Sequence, residues 1–140
     1  MVPKRYEELD HTADVQLRIF GADERELFAN AAFALADKTV DLSAVHGRQA
    51  VEVEASGADI EETLVNFLSE LLYRYNAGHF ISRECRITEL SPTRVRSVCT
   101  GEPFDASRHE ARAEIKAVTF HDVRITHTAD GLEVTLTCDV

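Results

Sequence analysis

No apolar run in these 140 residues approaches the roughly 20 needed to span a bilayer, so no membrane-crossing helix is expected. The start of the chain lacks the basic, apolar and small-residue order of a secretory signal, and a reducing cytoplasm is the expected setting. The six glycines are scattered, which excludes a glycine-rich loop wrapped around phosphates. Basic residues are scarce. Fifteen Lys and Arg against 25 Asp and Glu give a formal net charge of −10, which argues against direct, non-specific nucleic-acid binding. That balance suits a cation site, a basic protein partner, or plain solubility. No Cys-x-x-Cys or Cys/His cluster has zinc spacing, and no Ser/His/Asp arrangement is evident. The three cysteines, Cys85, Cys99 and Cys138, each fall on the apolar parity of an expected strand and read as buried free thiols. No linker or low-complexity tract divides the chain, so residues 1–140 read as one domain with its own core.

Two helices stand out in what is present. Asp23 can cap a helix carrying Leu27, Phe28, Ala31, Ala32 and Leu35 at helical spacing. Asp59 can cap a second, with Glu61 and Glu62 in the first turn, where negative charge favours the helix dipole. Its broad apolar face runs from Ile60 through Leu64, Phe67 and Leu68 to Leu72, and Asn76-Ala77-Gly78 closes it. Alternation of apolar and polar residues marks strands at Val15–Phe20, at 51–55, around Cys85–Ile87 and at 95–99. A charged loop follows over 101–109. Further strands are expected at 114–119, 123–128 and 132–139, the last two joined by an Ala129-Asp130-Gly131 hairpin turn. With no βαβ rhythm, the chain reads as an α+β domain: two helices packed on a mixed or antiparallel sheet of six to seven strands.

Two carboxylates hold unusual places. Asp14 closes the run Asp10-His11-Thr12-Ala13-Asp14 ahead of the first strand, and Asp139 is followed only by Val140, whose carboxylate would add oxygens. Both aspartates oppose the apolar parity of their strands. If those strands pair, opposed side chains have Cβ atoms about 4.5–5.5 Å apart, and two carboxylates that close repel unless a proton or cation lies between them. An oxygen-only set favours calcium, magnesium or manganese over zinc. The plain alternative is a pair of solvated strand-end aspartates. His11 could serve acid/base chemistry or hydrogen-bond within its loop. Lys116 could pair with Glu114, Asp14 or Asp139, present a cation to a partner, or guard an exposed sheet edge. The second His-Thr-Ala-Asp, at 127–130, runs into Gly131 and reads as a turn.

Taken together, these runs resemble the archease family across essentially the whole chain. The residues that carry the resemblance are Tyr6, Asp10 to Val15, Leu71-Leu72-Tyr73, Gly101-Glu102 with His109, the run Glu114 to His121, and Asp139-Val140. Phe120 departs from it, standing where Tyr is frequent. The resemblance implies an archease-like fold and a non-enzymatic cytoplasmic accessory protein of a GTP-dependent RNA ligase. That ligase joins 3′-phosphate or 2′,3′-cyclic phosphate ends to 5′-hydroxyls in tRNA splicing or RNA repair, and the accessory protein promotes its guanylylation and multiple turnover. RNA would be met only through the ligase, and no membrane is implied. The metal residues carried over are Asp14, Asp139 and Val140, holding a divalent cation, calcium first, with manganese or magnesium as alternatives. Lys116 is carried over as a residue of partner activation, with His11 in a supporting place. The rival readings are a general chaperone or protein-modification accessory, and a small metal-dependent hydrolase using His11 and Asp14.

Overall fold

The computed structural model describes residues 4–9 and 14–140. After strand β1 (Tyr6–Leu9), two strand-to-helix junctions organise the chain. Strand β2 (Val15–Gly21) runs into helix α1 (Glu24–Thr39), and strand β3 (Gln49–Ser56) runs into helix α2 (Ile60–Asn76). Both junctions read Gly-Ala-Asp-x-x-Glu, at 21–26 and 57–62. Asp23 Oδ1 accepts from the Glu26 N–H at 2.9 Å, and Asp59 Oδ1 from the Glu62 N–H at 2.8 Å. Each glutamate reaches back to the N–H of the alanine before the cap, at 3.2 and 3.1 Å, which satisfies a further donor at the helix entrance. The glycines permit the tight corner: a Cβ on Gly21 or Gly57 would lie 2.5 Å from the backbone nitrogen of Leu27 or Thr63.

The remaining strands are β4 (Phe80–Ser91), β5 (Arg94–Pro103), β6 (Ala117–Val118), β7 (Thr126–Thr128) and β8 (Gly131–Asp139). All described pairs are antiparallel. They form two sheets, β3-β5-β4 and β1-β2-β8, with β6 and β7 sharing the second edge of β8. The core lies between helices and sheets. Leu27, Phe28, Leu64, Phe67 and Leu68 from the helices meet Leu17, Ile19, Val53, Val95, Val134 and Leu136 from the strands. Each such side chain contributes about 1.5–3 kcal/mol through burial.

The α+β class and the two capped helices stand as expected. The strands differ: eight among the described residues, in two sheets instead of one. Strand β1 escaped the sequence reading because Tyr-Glu-Glu-Leu carries no alternation. Gly101–Pro103 continue β5 instead of opening a loop. The strands expected at 114–119 and 123–128 shrink to two and three residues. The intervening chain instead lies along α2 as a strap. Asn76 Nδ2 donates to the Ile115 carbonyl at 3.1 Å near the end of α2, and the Ile125 N–H donates to Glu61 Oε2 at 3.1 Å near its start. Ile115 and Val118 are both buried, which a strict two-residue alternation cannot give. The cysteine reading needs correction as well. Cys85 and Cys99 are joined by a disulfide, because the β4–β5 register sets these core-facing residues directly opposite one another. Cys138 is free and buried. No described helix is long and apolar enough to cross a membrane.

Candidate functional site

Strand β8 ends between β2 and β6, and this end gathers most of the residues singled out by the sequence. Val15 pairs with Cys138, so Asp14, immediately before β2, and Asp139, the last residue of β8, lie at the same end of the sheet. On the other side Ala117 pairs with Asp139 and Val118 with Cys138. The Lys116 N–H donates to the Asp139 carbonyl at 2.8 Å, so the activation and metal candidates share one backbone hydrogen bond. Ile115 anchors this junction: it is 1% exposed, and its carbonyl is held by Asn76. Lys116 and Asp139 face solvent, Asp14 is half-buried, and Val140 follows on the surface. The thiol of Cys138 is pushed up to about 12, first by burial and then by the negative charges of Asp139 and Asp14. Both carboxylates therefore bear on one point of the sheet.

The donor chemistry at this end fits a hard divalent cation. Asp14, just before β2, and Asp139, at the end of β8, could offer carboxylate oxygens, with the backbone oxygen of Val140 one residue on. Among the described residues no group of three or more His, Cys, Asp or Glu forms a metal cluster. His11, the proposed supporting residue, lies outside the described residues.

A second polar cluster lies where the sequence shows only a charged loop over 101–109, with Glu102 and His109 in the family pattern. Glu102, at the end of β5, is 3% exposed. Its carboxylate accepts from Arg108 Nη2 at 2.6 Å and from the His46 backbone N–H at 2.6 Å, with Arg48 Nε at 3.8 Å. His109 Nδ1 accepts from the Asp105 N–H at 2.9 Å, which assigns the ring proton to Nε2, 3.3 Å from Glu102 Oε2. The Arg108 bond, then the His46 N–H, hold the Glu102 carboxyl down to about 2. Glu102 thus draws together Arg108, His109 and the His46 backbone, and the cluster clasps residues 46–48 to the end of β5 and the loop that follows it. The spacing of Glu102, Arg108 and His109 was visible in sequence, but their convergence on one carboxylate was not.

Residues 6–140 match the Archease protein family. The chain is 35% identical to Protein archease of Methanosarcina barkeri, with 98% of this chain and 97% of that protein covered. It is 37% identical to Protein archease of Methanopyrus kandleri, covering 86% and 88%. The counterpart of Danio rerio is 34% identical, covering 99% and 87%. The fold superposes on the solution structure of Methanobacterium thermoautotrophicum protein 1598 with a TM-score of 0.81, at 27% identity and 97% and 99% coverage. A Thermotoga maritima crystal structure, described as an archease and possible chaperone, gives 0.68 at 18% identity, with 96% of each chain covered. At that identity the likeness concerns the fold alone.

Proposed function

The chain belongs to the archease family, and from that premise we propose that it is a non-enzymatic accessory protein of a GTP-dependent RNA ligase. In this reading it promotes guanylylation of the ligase and carries it through multiple turnovers. The ligase joins 3′-phosphate or 2′,3′-cyclic phosphate ends to 5′-hydroxyls, in tRNA splicing or RNA repair. The observation that carries the reading is the strand pairing that brings Asp14, Asp139 and Lys116 to one end of β8.

Asp14, Asp139 and the Val140 backbone oxygen would hold a divalent cation, calcium first. Such a cation supplies positive charge against the phosphates whose transfer the ligase catalyses. The protein's own part is positional. Pairing of β8 with β2 and β6 fixes the two carboxylates, and the buried Ile115 fixes the backbone from which Lys116 presents its ammonium. The acidic net charge favours approach to a basic ligase surface and leaves RNA binding to that partner.

The test is multiple-turnover ligation by a cognate ligase under limiting divalent metal, with and without this protein. Faster turnover, lost with Asp14→Ala, is expected. Unchanged turnover with folded protein present would reject the reading and favour the chaperone alternative, which predicts suppressed aggregation of unrelated proteins.

A further inference from the structure

Few large apolar side chains are strongly exposed here: among the described residues they are Tyr73, Phe120 and Val140. Two of the three flank the Lys116–Asp139 junction. Val140 directly follows Asp139, and Phe120 stands two residues beyond Val118, the partner of Cys138. The strap accounts for the exposure of Phe120. Buried Ile115 and Val118 precede it, and partly buried Val123 and Ile125 follow, so the positions that face α2 are already filled. The Thr119 N–H donates to the Thr137 carbonyl at 2.9 Å, which fixes the backbone immediately before Phe120. A turn at His121-Asp122 then carries the chain back, with Asp122 at φ 52°, a conformation Asp tolerates better than most residues. The result is a phenylalanine 58% exposed between backbone bonds at Thr119, to Thr137, and at Ile125, to Glu61. Fixed, exposed aromatics of this kind are the usual anchors of protein interfaces.

The charge around it favours a basic partner. Asp14 and Asp139 lie at the same end of the sheet, and Asp122, 3.1 Å from His121 Nε2, sits two residues from Phe120, so three carboxylates stand against the exposed cations Lys116 and Arg124. We propose that Phe120 and Val140 form the apolar anchor of a protein-docking surface. Its partner presents an apolar pocket rimmed by Lys and Arg. This inference rests on the accessory-protein reading above, since a ligase that binds RNA phosphates carries such basic surface. It adds that docking and activation are separate: Phe120 sets affinity, whereas Asp14, Asp139 and Lys116 act once the complex has formed.

The experiment measures direct binding of the cognate ligase and multiple-turnover ligation across a titration of this protein. Wild type, Phe120→Ala, Phe120→Tyr and Tyr73→Ala are compared. Tyr73, 65% exposed on the outer face of α2, is the control for an aromatic outside the surface. Phe120→Ala is expected to raise both the dissociation constant and the half-maximal concentration about tenfold or more, with the stimulation at saturation retained. Phe120→Tyr and Tyr73→Ala should behave as wild type. An unchanged dissociation constant for Phe120→Ala overturns the inference, as does an equal loss in Tyr73→Ala. Wild type that binds without stimulating ligation instead rejects the activation reading, while the Phe120→Ala binding result still decides the docking surface. Wild type that does not bind at all rejects both.

Discussion

Asp139→Asn should stabilise the protein without metal and leave it the less stable of the two with metal. The variant removes one of two like charges at the end of β8, where Asp14 precedes Val15 and Asp139 follows Cys138, the two residues that pair. Unit charges about 5–6 Å apart repel by about 0.7 kcal/mol in water-like surroundings, and by more as the dielectric falls. Because Asp139 is exposed and Asp14 only half-buried, the low end applies, about 0.5–1 kcal/mol. An unfolding entropy of about 2.1 cal/mol/K per residue gives a chain of 140 residues about 0.3 kcal/mol/K, so each kcal/mol moves Tm by about 3 °C. In EDTA the variant should therefore melt about 2–3 °C above wild type. With calcium at about 100 times its Kd, wild type gains about 2.7 kcal/mol, or about 9 °C by the same conversion. The variant, having lost a ligand, gains far less, and the order of the two Tm values inverts. Differential scanning calorimetry in EDTA and in graded calcium, magnesium and manganese reads this directly. A variant less stable than wild type in EDTA would refute the repulsion. A wild-type Tm unmoved by all three cations would refute the site.

Lys116→Ala should cut ligase stimulation severely while shifting Tm by no more than about 2 °C, since the side chain faces solvent; unfolding of this variant would make the lysine structural. Glu102→Gln tests the buried clasp. The Glu102 carboxyl is held at about 2, below the ordinary 4.5, so its stabilisation is complete above that ordinary value and is lost as pH falls toward 2. The variant should be less stable at neutral pH and show a flatter Tm profile between about pH 4.5 and 2; parallel profiles would contradict the assignment. Thiol titration checks the cysteines. Protein denatured without reductant should expose one reactive thiol, Cys138, and three after reduction, whereas three before reduction would restore the free-thiol reading.

Features set by short-range periodicity were legible in the sequence. Both helices, their Asp23 and Asp59 caps and the faces of β2 and β8 follow from which residues recur at 3.6 or 2 positions, and the structure places them accordingly. The doubled Gly-Ala-Asp-x-x-Glu run was equally visible but signalled nothing until both copies appeared at strand-to-helix corners. What periodicity cannot carry is pairing, because which strand lies beside which is decided by how the helices and sheets close over a common core. Hence the apolar parity of Cys85 and Cys99 is evident in the sequence and their disulfide is not, and 114–119 and 123–128 read as full strands although only 117–118 and 126–128 pair and the chain between lies along α2. The same holds for the candidate site. The sequence by itself singled out Asp14, Lys116 and Asp139 as chemically unusual. Only the closing of β8 between β2 and β6 made them neighbours, since residues so far apart along a chain meet through long-range backbone pairing and not through any local rule.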